Sequence, residues 1–485
     1  MKKSILRLVL FLLIVLSLLI WFNTFRFTSR QLAVEPLAAE MLPDSLANRF
    51  AKAIRFPTIS SVSGVDTIAF RGLDSLLIEQ FPLVHQQLNF QRINEFSRVY
   101  HWSGTDALLE PMLLLAHLDV VPAENSEQWM HPPFSGNIED GFIWGRGTLD
   151  DKLSAWAILE TLESLLKTDF QPKRGIYIAF GHDEETSGEW GAASIAASFE
   201  EKGLHFAFVL DEGLVILENA LEGLKSPVAM IGIAEKGICT LNVSVDLETG
   251  GHSMMPPPET AVGILAQAIT NLQENPLPAS IDGAAGRFFD YIGPEMNGLE
   301  KVVMANRWLT SGLLVGKLED DPAANAMLRT TMAPTMIRGG VRSNILPTRT
   351  SAKVNVRIIP GESVESVLAY CRSIVDDSRV RIQLDSTISY NDPSKVSDID
   401  VFGFQLIQRT CLEIYPDIIV APSLVIGYTD SRNYQDLSDQ IYRFCPVQID
   451  RSDLVRIHGS NERIEVSAYL NMIRFYRRLI EQGGI

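Results

Sequence analysis

The sequence predicts an α/β protein with a mainly parallel sheet flanked by helices, interrupted by a ferredoxin-like βαββαβ lid domain. Short apolar runs alternate with helical patterns in the first half, a βαββαβ order occupies the middle, and an α/β pattern resumes near residue 390. Strand–helix–strand repeats favour a parallel sheet, and the split βαβ order is a recurring module. With 485 residues, the chain is long enough for several domains.

The N-terminus predicts a membrane segment over 1–27, followed by a tether over 28–45. Two lysines and an arginine precede an apolar run from Leu8 to Phe22 that only Ser17 interrupts. Bulky aromatic residues follow where cleavage would require small ones, so we expect an uncleaved signal-anchor rather than a cleaved signal peptide. The positive end should stay in the cytoplasm, which places the body on the extracytoplasmic side. Cleavage would instead make the protein secreted.

The first part of the α/β domain is predicted over 46–237. Its runs "MLLLA", "GIYIAF" and "FAFVL" indicate buried strands, because they show no polar alternation. Between them, 151–168 carry apolar residues at helical spacing, and 191–203 form a helix that ends at a glycine. These elements alternate as a parallel sheet requires.

The lid domain is predicted over 238–390. "CTLNVSVDL" alternates with a period of two, a helix follows over 258–272, and further strand, strand, helix and strand patterns complete the module. An insertion rich in Pro and Gly, 275–328, separates the first helix from the second strand. Residues 391–485 then return to the α/β domain through the helical "FGFQLIQRTCLEIY" and the strand-like "IIVAPSLVIG".

Composition and charge argue against some functional classes. The formal net charge of −17 speaks against nucleic acid as a partner, because phosphate binding needs a basic surface. The four cysteines are widely spaced and contain no C-x-x-C pair. They therefore indicate neither a thiolate zinc site nor a dense disulfide framework, and one or two disulfides stay open.

Metal-type ligands follow three separate strands. His117 and Asp119 follow the first strand, Glu184 and Glu185 in "HDEETSG" follow the second, and Asp211 follows the third. The carboxyl ends of parallel strands meet at one edge of a sheet, so these side chains should lie close together. Adjacent buried acids are costly unless a cation or a proton neutralises them. One such residue commonly serves a turn, but three strands together indicate a site.

Two further residues complete the candidate site. Asp150 in "GRGTLDDK" lies between the ligand-bearing strands in sequence, although an aspartate there is commonly only a helix N-cap. His458 in "RIHGSNERI" offers a late imidazole, whereas the remaining histidines, with His182 the nearest rival, are treated as ordinary. Imidazole with several carboxylates suits zinc or a similar divalent ion, and one carboxylate can bridge two ions.

The ordered motifs resemble those of the co-catalytic zinc exopeptidase and amidohydrolase family, which includes aminoacylase, glutamate carboxypeptidase and carboxypeptidase S. The motifs are "AHLDVV", "GRGTLDDK", "DEETSG", "VLDEG", "TGGHSMMPP", "RSNILP", "VNVRIIPG", "GYTDSRNY", "IYRFCP" and "IHGSNERI". They cover about 46–480 and are most similar to the branch of carboxypeptidase S and the N-fatty-acyl-amino-acid synthase/hydrolases. The resemblance implies a zinc-exopeptidase-type sheet.

The resemblance also implies two Zn²⁺ per chain, with Co²⁺ or Mn²⁺ as substitutes. The implied metal ligands are His117, Asp150, Glu185, Asp211 and His458. Asp150 would bridge the ions, and its peptide bond to Asp151 is cis in relatives. Glu184 would be the general base on a metal-bridging water. Asp119 would hold His117 through its other ring nitrogen.

Substrate-binding residues follow from the same resemblance. His252 in "TGGHSMM" would donate to the tetrahedral oxyanion, the alternative being a loop histidine beside flexible glycines. Arg357, helped by Asn344, would bind the substrate's free carboxylate, the alternative being an Arg–acid bridge within the lid. Arg432 in "GYTDSRNY" would shape the site near the metals. Some relatives pair through the lid and bring His252 from a neighbour, so a homodimer through the lid is one expectation; the alternative is that the insertion over 275–328 blocks or replaces that contact.

The sequence therefore predicts a zinc-dependent hydrolase that cleaves the amide bond to an amino acid with a free carboxylate. It would be a carboxypeptidase or an N-acyl-amino-acid amidohydrolase, acting on a small-molecule or peptide substrate and held at the membrane by its N-terminal helix. Two alternatives stay open: a membrane-tethered binding protein that keeps the fold, and a different dinuclear-metal hydrolase. The intact ligand set favours an enzyme over the binding protein.

Overall fold

The computed structural model describes residues 2–38, 40–61, 64–221 and 223–484, so the outermost residues of the predicted ranges 1–27 and 391–485 lie outside it. Its first element is the helix α1 (Lys2–Arg26), and none of its residues is buried. An 18-residue window of this helix has a mean hydropathy of 2.9. The helix is therefore long and apolar enough to cross a membrane, a property that signal sequences share.

The first part of the α/β domain contains the predicted strands and helices. Its elements are α2 (Ser45–Ile54), β1 (Ser60–Ser61), β2 (Gly64–Val65), α3 (Thr67–Gln80), α4 (Pro82–Gln87), β3 (Asn89–Ile93), β4 (Ser97–Trp102), β5 (Met112–His117), β6 (Asn137–Glu139), β7 (Phe142–Trp144), α5 (Lys152–Lys167), β8 (Ile176–Gly181), α6 (Ala192–Glu201), β9 (Phe208–Glu218) and β10 (Val228–Glu235). The apolar runs at β5 and β8 are strands within one residue of the predicted limits.

The lid follows in chain order and includes the insertion. Its elements are β11 (Gly237–Asp246), β12 (Gly251–His252), α7 (Ala261–Glu274), α8 (Gly283–Ile292), α9 (Gly298–Ala305), α10 (Arg307–Leu318), α11 (Pro322–Leu328), β13 (Thr331–Arg338), β14 (Ile345–Leu346), β15 (Arg349–Ile358), α12 (Val364–Val375) and β16 (Val380–Leu384). Four strands pair antiparallel in the order β13-β15-β11-β16, as a ferredoxin-like module requires. The strand β12 pairs with β14 in a separate ribbon.

The chain then returns to the α/β domain. The remaining elements are α13 (Phe402–Ile414), β17 (Ile419–Val425), β18 (Ile441–Asp450), β19 (Arg463–Glu465) and α14 (Val466–Gly483). The main sheet has eight strands in the order β17-β10-β18-β9-β5-β8-β4-β3. The four central strands, β18, β9, β5 and β8, run parallel to one another. Antiparallel pairings occur towards both edges of the sheet. The predicted fold class is therefore confirmed.

Alternate residues of the central strands face two different helical layers. Leu114 packs with α5, α13 and α14 on one face, whereas Leu113 and Leu115 pack with α6 on the other. The helix α5 lies between the sheet and α14, which explains why it is buried almost all round and why Trp156 is fully buried. The lid has its own apolar cluster.

The insertion is helical, although its composition indicated no element. Its helix α8 packs against the edge strand β17, and α9 contacts α1. The side chain of Gln31 covers the same edge by exchanging two hydrogen bonds of 2.9 Å with the backbone of Val420. The four cysteines, Cys239, Cys371, Cys411 and Cys445, are buried and unpaired, which answers the open question of disulfides.

Candidate metal centre

Five segments of the α/β domain bring their polar side chains to one place. His117 is the last residue of β5, Glu184 and Glu185 follow β8, and β9 carries Asp211 and Glu212. The turn after β7 and the loop before β19 add one aspartate and one histidine. The carboxyl ends of parallel strands meet at the same edge, so the sheet itself gathers residues that lie far apart in sequence.

The carboxylate of Asp150 lies between two imidazoles. Its Oδ1 is 2.9 Å from Nε2 of His117, and its Oδ2 is 2.9 Å from Nε2 of His458. Glu185 joins the second histidine, with 3.1 Å between Oε2 and Nε2. Each oxygen of one carboxylate thus faces a different histidine, which is the arrangement of a bridging ligand. The peptide bond between Asp150 and Asp151 is cis.

Two groups of side chains meet the requirements of a metal site. The ligand atoms of His117, Asp150 and Glu185 lie within 4.8 Å of one another, and so do those of His117, Glu184 and Glu212. One oxygen of Glu185 is buried without a hydrogen-bond partner. Nitrogen and carboxylate oxygen donors suit zinc and related divalent ions, so the residues present fit the metals that the sequence implied.

Asp211 and its neighbour Glu212 have different partners, which bears on the predicted ligand Asp211. The carboxylate of Asp211 accepts hydrogen bonds from the backbone N–H of Ser431 at 2.7 Å and of Glu212 at 2.9 Å. Glu212 instead places Oε1 3.8 Å from Nε2 of His117. Adjacent side chains on a strand face opposite sides, so the two carboxylates meet different surroundings. Glu212 therefore faces His117, and the role of Asp211 as a metal ligand stays a prediction.

Asp119 contacts both His117 and the loop that carries Glu184 and Glu185. Its Oδ1 lies 3.3 Å from Nδ1 of His117, opposite the nitrogen that faces Asp150. Its carboxylate also accepts hydrogen bonds from the backbone N–H groups of Glu184 and Glu185 at 3.2 and 3.1 Å. One buried carboxylate thus sets the ring orientation of the histidine and the position of both glutamates.

The electrostatics of the cluster favour a bound cation. Burial, reinforced by neighbouring carboxylates, raises the pKa values of Glu184 and Glu212 well above the usual range and also raises that of Glu185. Hydrogen bonds that His458 donates to the carboxylates of Asp150 and Glu185 raise its pKa to about 10. Neighbouring carboxylates in a low-dielectric site repel one another when they are ionised. Bound divalent cations would offset this repulsion.

An ion pair that the sequence did not single out joins two of the ligand-bearing loops. Nη1 of Arg146 donates to Oε2 of Glu462 at 2.6 Å, and Nη2 donates to the carbonyl oxygen of His458 at 3.1 Å. Oε1 of Glu462 accepts from the backbone N–H groups of Gly147 and Leu149 at 3.0 and 2.7 Å. We call this pair the Arg146–Glu462 clamp. Both residues stand inside quoted motifs, but nothing in their spacing shows that they pair.

The predicted substrate-binding residues fall into two groups. Arg357 and Arg432 both lie over the ring of Tyr428, at 5.6 and 4.3 Å from its centroid. Nη2 of Arg432 also donates to the carbonyl oxygen of Ser187 at 2.7 Å, in the loop that carries the glutamates. This stacked arrangement, a cation–π contact on each arginine, was not foreseen from the sequence.

His252 and Asn344 form the second group, on the ribbon of β12 and β14. Both are exposed, and the N–H of Ser253 donates to the carbonyl oxygen of Asn344 at 3.1 Å. Nδ1 of His252 accepts from the N–H of Met254 at 3.1 Å. Within the described ranges, no hydrogen bond or ion pair joins His252 to the metal cluster, so its role as oxyanion donor stays a prediction.

The parallel sheet, its lid and a cluster of histidines and carboxylates define a metal-dependent hydrolase of the peptidase and amidohydrolase class. Residues 113–482 match the family described as "Peptidase family M20/M25/M40". The chain belongs to this family, as the resemblance of its motifs implied. It is therefore an enzyme, which excludes a binding protein that only keeps the fold.

Similar proteins cover nearly the whole chain. "Probable carboxypeptidase S-like 2" of Dictyostelium discoideum is 40% identical over 97% of this chain and 92% of that protein. "N-fatty-acyl-amino acid synthase/hydrolase PM20D1.1" of Danio rerio is 38% identical over 100% and 97%. The crystal structure of the M20 family metallo-carboxypeptidase Sso-CP2 from Sulfolobus solfataricus shares the fold, with a TM-score of 0.65 and 16% identity over 91% of this chain and 99% of that one.

Proposed function

We propose that this enzyme holds two zinc ions and cleaves the amide bond to an amino acid with a free carboxylate. The observation that carries the proposal is the carboxylate of Asp150, with one oxygen 2.9 Å from His117 and the other 2.9 Å from His458. The residues that would hold the ions are His117, Asp150, Glu185 and His458, together with the predicted Asp211 or its neighbour Glu212, which faces His117. The same nitrogen and oxygen donors would also accept Co²⁺ or Mn²⁺.

Glu184 is the general base of the proposed reaction. Bound divalent ions would polarise the scissile carbonyl and make water more acidic. Glu184 takes a proton from the attacking water and delivers it to the leaving nitrogen. Its backbone N–H donates to Asp119 at 3.2 Å, which fixes the loop that presents its side chain. A buried carboxylate with a raised pKa suits both the base and the acid half of this transfer.

Arg357 is the proposed ligand of the substrate carboxylate. Burial lowers the pKa of its guanidinium, and among the described residues no acid lies within ion-pair distance of it. This speaks against the alternative of an Arg–acid bridge inside the lid. A half-buried guanidinium without an acidic partner is a suitable site for a carboxylate, which it can bind through two hydrogen bonds. Asn344 and Arg432 would assist from the lid and from the base of the site.

We further propose that His252 acts on the site of a partner subunit, in a homodimer formed through the lid. The ribbon that carries His252 exposes large apolar side chains around it: Met254 is 76% exposed, Met255 79% and Val341 89%. Exposed apolar residues that cluster in this way are typical of interaction surfaces. An imidazole that is exposed in one chain would then donate to the oxyanion in the other.

The test is metal content measured together with hydrolysis of a substrate panel. Full-length protein in detergent would be offered N-acetyl, N-oleoyl and dipeptide substrates, each with a free carboxylate or a C-terminal amide. We expect about two metals per chain and cleavage only of the free acids. The best acyl group would decide between a carboxypeptidase and an N-acyl-amino-acid amidohydrolase. Equal cleavage of the amides would contradict the proposed substrate class.

The helix α1 is proposed as an uncleaved membrane anchor, with the body on the extracytoplasmic side. Its length, its apolar composition and the bulky aromatic residues in its last turns, where cleavage would require small ones, support this assignment. Membrane fractions should therefore contain the full-length protein, detected with a C-terminal tag. A shorter, soluble form would mean that the segment is cleaved.

A further inference from the structure

The insertion presents an apolar helical face to the outside of the molecule. On α10, Trp308 is 58% exposed, Leu309 49% and Leu313 78%, and Gly312 and Gly316 lie on the same side. This outward stripe contains no charged residue between positions 308 and 316. The opposite side of the helix is also apolar, with Leu314 buried against the body. A surface helix in water normally carries polar residues on its outer face.

The start of this helix is fastened to α1. The side chain of Asn306, directly before α10, donates to the carbonyl oxygen of Ile20 at 3.3 Å and to Oγ1 of Thr24 at 3.2 Å. It also accepts a hydrogen bond of 3.2 Å from the side chain of Asn23. These contacts place the insertion beside the last turns of α1, rather than against its apolar middle.

The same turns of α1 have the composition of a membrane interface. Trp21 and Phe25 stack with centroids 5.6 Å apart, and Arg26 lies 5.4 Å from the centroid of Phe22. Aromatic and basic side chains gather at the level of the lipid headgroups. If α1 spans a bilayer, Trp308 lies near this level too, because Asn306 ties its helix to these turns.

We propose that the outward faces of α9 and α10 form a lipid-docking surface that enters the extracytoplasmic leaflet beside α1. On α9, the helix that contacts α1, Leu299 is 72% exposed and adds a further outward apolar side chain to those of Trp308, Leu309 and Leu313 on α10. This face lies beside α1, which is itself exposed and apolar. We therefore assign a phospholipid bilayer as the partner that covers it. A helix with one face in the leaflet and the other on the protein needs no polar side. This inference rests on the proposed membrane anchoring of α1.

Docking on two neighbouring segments would restrict how the body sits on the membrane. The far end of the insertion leads into β13, whose Thr331 pairs with Arg357 of β15, and Nζ of Lys236 donates to the carbonyl oxygens of Ala326 and Arg329 at 2.9 and 2.8 Å. The insertion therefore links the proposed lipid contact to the lid strand that carries Arg357. A single anchor helix on a flexible tether would leave this orientation free.

Site-directed fluorescence quenching tests the docking surface in the full chain. Leu313→Cys would be labelled with bimane, which is selective because the four native cysteines are buried. The protein would be reconstituted in phosphatidylcholine vesicles and exposed to lipids spin-labelled in the upper acyl chain or to aqueous iodide. Leu12→Cys, in the middle of α1, reports on the anchor.

Ile68→Cys is the matched control, since Ile68 is 84% exposed but lies on α3. That helix sits at the opposite edge of the sheet, where Arg71 pairs with Glu95 at 2.8 Å, between β3 and β4. Eight strands at about 4.8 Å spacing separate the two edges by roughly 34 Å.

We expect the spin-labelled lipids to remove most of the fluorescence at positions 313 and 12 and little at position 68. Iodide should quench only the label at position 68. Lipid quenching at position 12 with iodide quenching at position 313 would overturn the docking surface and leave the anchor intact. Iodide quenching at both positions would overturn both proposals.

Discussion

Replacing Glu462 with glutamine tests whether the Arg146–Glu462 clamp holds the metal ligands in place. The carboxylate accepts three hydrogen bonds, from Nη1 of Arg146 at 2.6 Å and from the N–H groups of Gly147 and Leu149 at 3.0 and 2.7 Å. Glutamine keeps the shape and one oxygen, which can retain the two backbone bonds. Its amide nitrogen, however, would face the guanidinium as a second donor.

The magnitude follows from the burial of this pair. The side chains of Arg146 and Glu462 are 2% and 0% exposed, so the variant leaves a buried guanidinium without its counter-charge. Breaking such a pair typically costs about 3–5 kcal/mol of stability. Leu149 precedes Asp150, and Arg146 holds the carbonyl oxygen of His458, so the loss acts on both loops. Zinc affinity should therefore fall by about 10- to 100-fold, the usual effect of removing a supporting contact.

Competition with a fluorescent zinc chelator measures this affinity, and thermal unfolding measures the loss of stability. Glu95→Gln is the control, because it changes the same chemistry at an exposed pair whose side chains are 71% and 55% exposed. Such a pair contributes about 0–1 kcal/mol, so this variant should behave like the wild type. A zinc affinity of Glu462→Gln within about twofold of the wild type would refute the reasoning that a supporting contact tunes the metal site.

Four further predictions concern catalysis and substrate binding. Glu184→Ala should keep its metals but lose about 10²- to 10⁴-fold in kcat, since it removes the general base. Arg357→Ala should raise KM for substrates with a free carboxylate and remove the preference over amides, because the guanidinium is lost. An equimolar mixture of His252→Ala and Glu184→Ala should regain about one quarter of wild-type activity, because half of the dimers would contain one complete site. Burial and Arg357 lower the pKa of Lys236 to about 7, so its positive charge is present below pH 7 and lost above it. KM for free acids should therefore rise as the pH increases through 7, and Lys236→Met should abolish that rise.

Each of these predictions has an opposing result. Metal loss together with activity loss in Glu184→Ala would point to a ligand rather than a base. Unchanged preference for free acids in Arg357→Ala would remove its assigned role. An inactive mixture, with subunit exchange verified, would mean that His252 does not act across subunits. The same rise in KM with pH in Lys236→Met would assign the titration to another group.

The overall fold could be predicted because its signals are local. The runs at β5 and β8 are continuously apolar, as expected for strands that are buried on both faces. The helix α5 shows apolar residues at helical spacing along its length. The antiparallel edges of the main sheet could not be predicted. Strand direction is decided by which strands meet, and that depends on contacts between distant segments.

The insertion shows a different limit of the sequence. Its helix α10 is apolar on more than one side, so it lacks the one-sided pattern that reveals a helix on a soluble core. Only the structure shows that α9 contacts α1 and that α8 packs against the edge strand β17.

The candidate site also has features that the sequence predicts and features that only tertiary contacts decide. By itself, the sequence determined that histidines and acids follow the strands whose ends meet, because residue type and position along a strand are local properties. The surroundings of Asp211 and Glu212 were decided by the tertiary structure, since the backbone N–H of Ser431 in a distant loop donates to Asp211, whereas Glu212 faces His117. The pairing of Arg146 with Glu462 was decided there as well. Such contacts form between segments hundreds of residues apart, and no local pattern records which segments the fold will bring together.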